Sequence, residues 1–185
     1  MKTHQPTPTI LVDTREQTPL LFANLPTERR TLATGDYSVL GFERDFCIER
    51  KSVADLVQSL THERDRFSRE LQRMRAFDFR RLLIVGTLSD IEAHRYRSQA
   101  NPKSVIASVT AFEIRYQLPV CYCPTPEAAA VQIERWAFYF QRERLIAASE
   151  TLRLYGEQAP APPPGQGTSR TADPEPPAGG VARGK

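Results

Sequence analysis

Short apolar runs alternate with amphipathic segments between residues 10 and 155. The run over 81–86 (RLLIVG) is almost wholly apolar, which predicts a central strand covered on both faces. Two runs on either side of Gly41, over 37–40 and 46–50, predict a β-hairpin. Further short strands are predicted at 9–12 and 119–123.

Helical spacing of apolar residues follows most of these runs. Ser52, with Asp55 three residues later, predicts an N-cap and a helix start directly after the third strand. Further helices are predicted over 63–77, 89–97, 102–117 and 126–153. Strands that alternate with helices indicate the α/β class, with a central mixed β-sheet flanked by helices.

The composition changes abruptly at Gly156. The segment beyond it is rich in proline and glycine and has too few large apolar side chains to offset its ordering entropy. We therefore expect a flexible N-terminus over 1–9, one folded domain over 10–155 and a disordered tail over 156–185.

The chain has 185 residues, a net charge of +3 and three cysteines without a CxxC pair. These cysteines do not predict a disulfide framework, and the scattered histidines do not predict a zinc site. Since no apolar run approaches about 18 residues, neither a membrane span nor export is expected. The predicted location is intracellular, which means cytoplasmic for a prokaryotic or phage protein and nuclear for a eukaryotic one.

Arginine dominates the basic residues, since only Lys2, Lys51, Lys103 and Lys185 are lysines. Arginine binds phosphate with a bidentate fork, which favours a nucleic-acid partner, although a GC-rich genome would produce the same bias. Three arginines on one face of the helix over 63–77 are either phosphate contacts or a solvated face balanced by acidic neighbours: Arg66, Arg69 and Arg73. Four aromatic residues of the last helix are predicted to be core or a dimer surface rather than a base-stacking platform: Trp136, Phe138, Tyr139 and Phe140.

Four carboxylates lie at or near the ends of the first three predicted strands: Asp13, Glu16, Asp36 and Glu49. Mg²⁺ prefers oxygen ligands and takes a few carboxylates together with water and substrate phosphate. Asp13, Asp36 and Glu49 could therefore bind a cation that activates water and stabilises the charge on a phosphodiester under attack.

Glu49 and Lys51 project to the same side if the strand continues through Lys51, because the side-chain period of a strand is two. The lysine could then position the attacking water or stabilise the transition state, while Arg50 points away. The alternative is a solvated Glu49–Lys51 pair, with Asp13 and Asp36 as ordinary turn residues.

Together these motifs resemble the XPF-type (ERCC4-domain) family of structure-specific nucleases. The matching segments are VDTRE at 12–16, GDY at 35–37, and ERK at 49–51 with Asp55 after it. The family signature of GD, a spacer and ERK corresponds here to GDYSVLGFERDFCIERKSVAD. The resemblance covers about residues 10–145 and implies the restriction-endonuclease-like fold of the PD-(D/E)XK superfamily.

The resemblance implies a Mg²⁺- or Mn²⁺-dependent DNA endonuclease that cuts branched, flapped or forked DNA in repair or recombination. The implied metal ligands are Asp13, Glu16, Asp36 and Glu49. The implied catalytic residues are Asp36, Glu49, Arg50 and Lys51. The implied DNA contacts are Arg15, Arg66, Arg69 and Arg73.

One departure from the family leaves a second function open. Eukaryotic relatives carry tandem helix-hairpin-helix domains after the nuclease domain, whereas the predicted tail follows here. A lone domain would make one incision and has little area to grip a branch, so we expect a homodimer, or a nuclease or helicase partner. The alternative function is a non-catalytic DNA-binding or scaffold subunit, although such subunits typically lose the acidic motif that this chain keeps.

Overall fold

The computed structural model describes residues 6–156, which form six strands and five helices. The strands are β1 (Ile10–Asp13), β2 (Thr27–Arg30), β3 (Tyr37–Val39), β4 (Phe46–Ser52), β5 (Phe79–Val85) and β6 (Val120–Cys123). The helices are α1 (Val53–Thr61), α2 (Arg64–Met74), α3 (Leu88–Glu92), α4 (Pro102–Tyr116) and α5 (Pro126–Tyr155).

All six strands belong to one mixed sheet in the order β2-β1-β3-β4-β5-β6. β1, β3 and β4 pair antiparallel, whereas β1–β2, β4–β5 and β5–β6 pair parallel. Helices make the crossovers between the parallel strands β4, β5 and β6, as such connections usually require. The predicted α/β class and mixed sheet are confirmed.

Alternate side chains of β4 and β5 enter two separate apolar cores, one on each face of the sheet. Cys47, Leu82 and Ile84 join the core beneath α1, α2 and α4. Ile48 and Leu83 join the core beneath α5, together with further side chains of β1 and β3. The first of these two faces is called the α2 face below, and the second the α5 face.

The predicted cap of the first helix is present, and it makes the turn from β4 into α1 abrupt. The Ser52 hydroxyl accepts a hydrogen bond from the backbone N–H of Asp55 at 3.1 Å and donates one to the Asp55 carboxylate at 2.7 Å. A side chain that satisfies an unpaired N–H at a helix start typically stabilises a protein by about 1 kcal/mol. Asp55 is therefore part of the cap.

The sequence analysis missed one element, and its prediction for another was wrong. β2 was not predicted, because its sequence TERR has no apolar residue and its side chains are mostly exposed. The helix predicted over 89–97 ends at Glu92, and His94 beyond it adopts a positive φ of 54°, which does not continue an α-helix.

The last helix divides its aromatic residues between the core and solvent. Trp136 and Phe140 are partly buried and pack against the core of the α5 face, as predicted. Phe138 and Tyr139 are exposed. No helix within residues 6–156 is both long enough and apolar enough to cross a membrane.

The domain boundaries stay predictions. Residues 6–148 form the unit that holds the sheet, and the described residues from Ser149 onward belong to a second unit. The predicted tail lies outside the described residues apart from Gly156, and the predicted flexible N-terminus does so apart from residues 6–9.

Candidate active site

The end of β4 and the residue before β3 bring two carboxylates together. The Asp36 backbone N–H donates to the Ile48 carbonyl at 2.8 Å, and the Asp36 carboxylate accepts from the Arg50 N–H at 2.7 Å. Gly35 makes this approach possible, because its φ is +79° and an added Cβ would lie 2.9 Å from the Ile48 carbonyl oxygen. The Gly35–Asp36 dipeptide of the motif therefore places Asp36 against β4, where it bonds the backbone groups on either side of Glu49.

Glu49 and Lys51 lie on the α2 face, as the two-residue period of β4 predicts. The Lys51 ammonium donates to Glu49 Oε1 at 2.5 Å and lies 5.2 Å from the centre of the Phe67 ring. Glu49 is only 2% exposed, and in the part of the chain that the structure describes nothing hydrogen-bonds its second oxygen, Oε2. A buried, unpaired carboxylate oxygen is costly, and it is the kind of atom that a bound cation would satisfy.

Burial makes the charges of this pair of carboxylates unfavourable. It raises the pKa of Asp36 to about 6, against the favourable hydrogen bond from Arg50, and the charge of Glu16 adds to the rise. Burial also raises the pKa of Glu49, and the nearby charge of Asp36 raises it further. For Lys51 burial is the largest single effect and lowers the pKa, but the neighbouring carboxylates Glu49, Glu70 and Asp36 together raise it above its usual value, so the ammonium stays charged.

Asp13 lies at the end of β1 with both carboxylate oxygens already engaged. Oδ1 accepts from the backbone N–H of Arg15 at 2.7 Å and from its Nε at 2.8 Å. Oδ2 accepts from Arg15 Nη2 at 3.0 Å and from the Leu32 N–H at 2.7 Å. Burial works against the charge of Asp13, but these bonds prevail and lower its pKa.

Glu16 forms an ion pair with Arg50. Arg50 Nη2 lies 3.1 Å from Glu16 Oε1, and Arg50 also donates to the Thr18 hydroxyl at 2.9 Å. Arg50 therefore projects away from Glu49 and Lys51, as predicted, and its side chain holds the segment that follows β1.

Two adjoining cavities surround these groups. The acidic cavity, of about 210 Å³, is lined by Asp13, Arg15, Ala33, Thr34, Gly35, Asp36, Glu49, Lys51, Arg66, Glu70 and Arg73. The adjoining cavity, of about 280 Å³, shares Arg15, Asp36, Lys51 and Arg66 with it, and Glu16 and Arg50 line this second cavity only. The structure thus brings together every predicted site residue except Arg69, which lines neither cavity.

Glu70 is the residue of the site that the sequence analysis missed. It follows Arg66 by one helical turn on α2, but a single glutamate among many charged residues of a helix carries no distinguishing signal. Its position in the acidic cavity depends on how α2 packs on the sheet.

The carboxylates of the site differ in their readiness to take a metal ion. Among residues 6–156, no three His, Cys, Asp or Glu side chains are already arranged to hold one. Asp13 and Glu16 are occupied by arginines, as described above. Asp36 and Glu49 fit a cation better, since both line the acidic cavity and one oxygen of the buried Glu49 has no partner among the described residues.

Comparisons with known proteins agree with this architecture. Two solved structures have the same fold, both 21% identical to this chain. For XPF from Aeropyrum pernix the TM-score is 0.59, with 81% of this chain and 73% of that chain covered. For XPF from Aeropyrum pernix in complex with DNA the TM-score is 0.57, with 74% and 66% covered. No curated protein matched the chain.

The family model of the ERCC4 domain matches residues 12–135. The chain therefore belongs to the ERCC4 domain family, a nuclease family, as its motifs predicted.

Proposed function

We propose that this protein is a divalent-metal-dependent endodeoxyribonuclease that hydrolyses phosphodiester bonds in branched, flapped or forked DNA during repair or recombination. The observation that carries the proposal is that Lys51 pairs with one oxygen of the buried Glu49 beside Asp36, while no described residue hydrogen-bonds the other Glu49 oxygen in the cavity. Membership of the ERCC4 domain family and the fold shared with an XPF–DNA complex support it.

Asp36 and Glu49 are the residues that would hold Mg²⁺ or Mn²⁺ in this proposal. Such a cation, when bound, lowers the pKa of water and stabilises negative charge on phosphate oxygens. Asp13 has a different role, because its oxygens are saturated by Arg15 and Leu32. It holds Arg15 at the mouth of both cavities, where the guanidinium can contact a phosphate.

Lys51 acts as a cation rather than as a general base. Its raised pKa keeps the ammonium protonated at neutral pH, so it offers positive charge and hydrogen-bond donors but cannot accept a proton. It can therefore orient the attacking water or stabilise the charge that develops on the phosphate. Arg66 and Arg73 project from α2 into the same cavity and supply further positive charge for the DNA backbone.

The test is cleavage of labelled flap, fork, four-way-junction and duplex DNA in Mg²⁺, in Mn²⁺ and in EDTA. We expect the wild-type protein to cut branched substrates only with a divalent cation. Lys51→Ala should lower the cleavage rate by about 10²–10³-fold, as loss of a transition-state charge contact typically does. Lys103→Ala removes an equal charge from the exposed start of α4 and should retain wild-type activity.

Cleavage that persists in EDTA, or that is unaffected by Lys51→Ala, would contradict the proposal. A non-catalytic DNA-binding or scaffold subunit is the second candidate, since Asp13 and Glu16, two of the expected metal ligands, form ion pairs with arginines. Tight binding of branched DNA without cutting would favour that candidate. Pairing with a second copy of the chain, or with a nuclease or helicase partner, stays a prediction.

A further inference from the structure

Helix α2 adds a carboxylate to the acidic cavity that lies outside the GD and ERK motifs. Glu70 is half-buried and lines the cavity with Asp36, Glu49 and Lys51. Its charge interacts electrostatically with all three. In the described part of the chain, Glu70 itself forms no hydrogen bond and no ion pair, so its oxygens are available to a ligand.

The packing of α2 explains why Glu70 points into the cavity. Phe67 and Leu71 are buried in the core of the α2 face and determine which side of the helix contacts the sheet. Arg66, Glu70 and Arg73 follow at the i, i+4 and i+7 spacing of a neighbouring face, and all three line the cavity. Glu70 therefore lies between two arginines, at the place where the helix faces the carboxylates of β3 and β4.

A second observation points to a ligand in this cavity. Glu49 is buried, lines the same cavity, and has an oxygen that no described residue satisfies. Lys51 occupies only the other oxygen of Glu49. A cation between these groups would satisfy the buried oxygen and would offset the repulsion among the three carboxylates.

We propose that Glu70 is a third carboxylate beside the cation site formed by Asp36 and Glu49, and that its negative charge in the shared cavity raises the affinity of that site for Mg²⁺ or Mn²⁺. This inference rests on the proposed metal-dependent function. The competing explanation is that Glu70 only balances the charges of Arg66 and Arg73, in which case its removal would leave cation affinity unchanged.

The test is Mn²⁺ titration of the full chain without DNA, with free Mn²⁺ followed by electron paramagnetic resonance. Glu70→Gln should weaken Mn²⁺ binding by about 10–100-fold, the usual effect of losing a supporting group at a metal site. Asp65→Asn removes an equal charge from an exposed position of the same helix and should change affinity by less than about twofold. Glu70→Asp, which keeps the charge, should recover part of the lost affinity, and thermal unfolding in EDTA checks that each variant is folded.

Glu49→Gln separates failure of this inference from failure of the proposed function. If Glu49→Gln abolishes Mn²⁺ binding while Glu70→Gln binds like the wild type, the role of Glu70 is overturned and the metal site stands. If the wild-type protein binds no Mn²⁺ at millimolar concentration, both the proposed function and the role of Glu70 are overturned.

Discussion

At the scale of single residues, the site contains carboxylates whose burial in the charged form reduces the free energy of unfolding. Glu49 is buried with an oxygen that nothing in the described part of the chain hydrogen-bonds, and burial raises the pKa of both Glu49 and its neighbour Asp36. Ordinary core positions avoid such arrangements, and perturbed carboxylates in a cavity typically belong to functional sites. A bound divalent cation would turn the same repulsion into binding energy.

The raised pKa values of these carboxylates predict how the free energy of unfolding depends on pH. A carboxylate whose pKa is raised on folding binds more protons in the native state, so its stabilising contribution is complete below the unfolded pKa and is lost as pH rises through the folded one. Asp36, with an ordinary pKa of 3.8 and a folded pKa of about 6, should lower the free energy of unfolding by about 2 kcal/mol as the pH rises from 4 to 7.

The measurement is urea denaturation in EDTA across this pH range for the wild type and Asp36→Asn. The variant should lose less stability with rising pH, and Mg²⁺ should reduce the difference by stabilising the wild type. Asp13, whose lowered pKa acts in the opposite direction, is present in both proteins and cancels from the comparison. If the free energy of unfolding changed with pH equally in the wild type and in Asp36→Asn, this explanation would be contradicted.

At the scale of elements, one buried carboxylate of α5 holds the segment that leads into β2. Glu134 is 6% exposed, accepts from the Asn24 N–H at 2.8 Å and from the Asn24 side-chain amide at 2.6 Å, and also accepts from the Leu25 N–H. These bonds anchor the β1–β2 connection. They help to explain how a strand without apolar residues pairs at the sheet edge.

Removing this anchor should destabilise the protein. Glu134→Ala leaves the backbone donors of Asn24 and Leu25 without their acceptor, so we expect the free energy of unfolding to fall by about 1–3 kcal/mol. Glu143→Ala truncates an exposed glutamate of the same helix and should change it by less than about 0.5 kcal/mol. Chemical denaturation distinguishes the two, and equal midpoints would show that the anchor is dispensable.

At the scale of the whole molecule, arginines from two separate parts of the chain meet the carboxylates of the acidic cavity. The net charge is only +3, yet Arg15, Arg66 and Arg73 all line the cavity. A DNA backbone placed there would meet arginines on the rim and carboxylates within.

This arrangement predicts different salt dependences for the arginines of α2. If Arg66 and Arg73 contact phosphates as proposed, Arg66→Ala and Arg73→Ala should each weaken DNA binding and reduce the slope of log K against log salt concentration by about one unit. Arg69→Ala should leave affinity and slope unchanged, since Arg69 lines neither cavity. Fluorescence anisotropy of labelled fork DNA in EDTA measures both, and a smaller slope for Arg69→Ala would contradict the assignment.

Much of this protein could be predicted from local pattern. The strand period of two placed Glu49 and Lys51 on one face, and the Ser52 cap marked the start of α1. The order of the GD and ERK motifs indicated the family, and the alternation of strands and helices indicated an α/β sheet. Each of these features depends on residues that are close together in the chain, so the local sequence is enough to indicate it.

The tertiary structure decided which charged groups meet. Arg15 pairs with Asp13 and Arg50 pairs with Glu16, whereas one oxygen of Glu49 has no hydrogen-bond partner among the described residues. The pairing of β2 and the entry of Glu70 into the cavity depend in the same way on distant elements. The sequence by itself determined the face on which each side chain lies, whereas the partner across that face follows only from long-range packing, which short spacings do not encode.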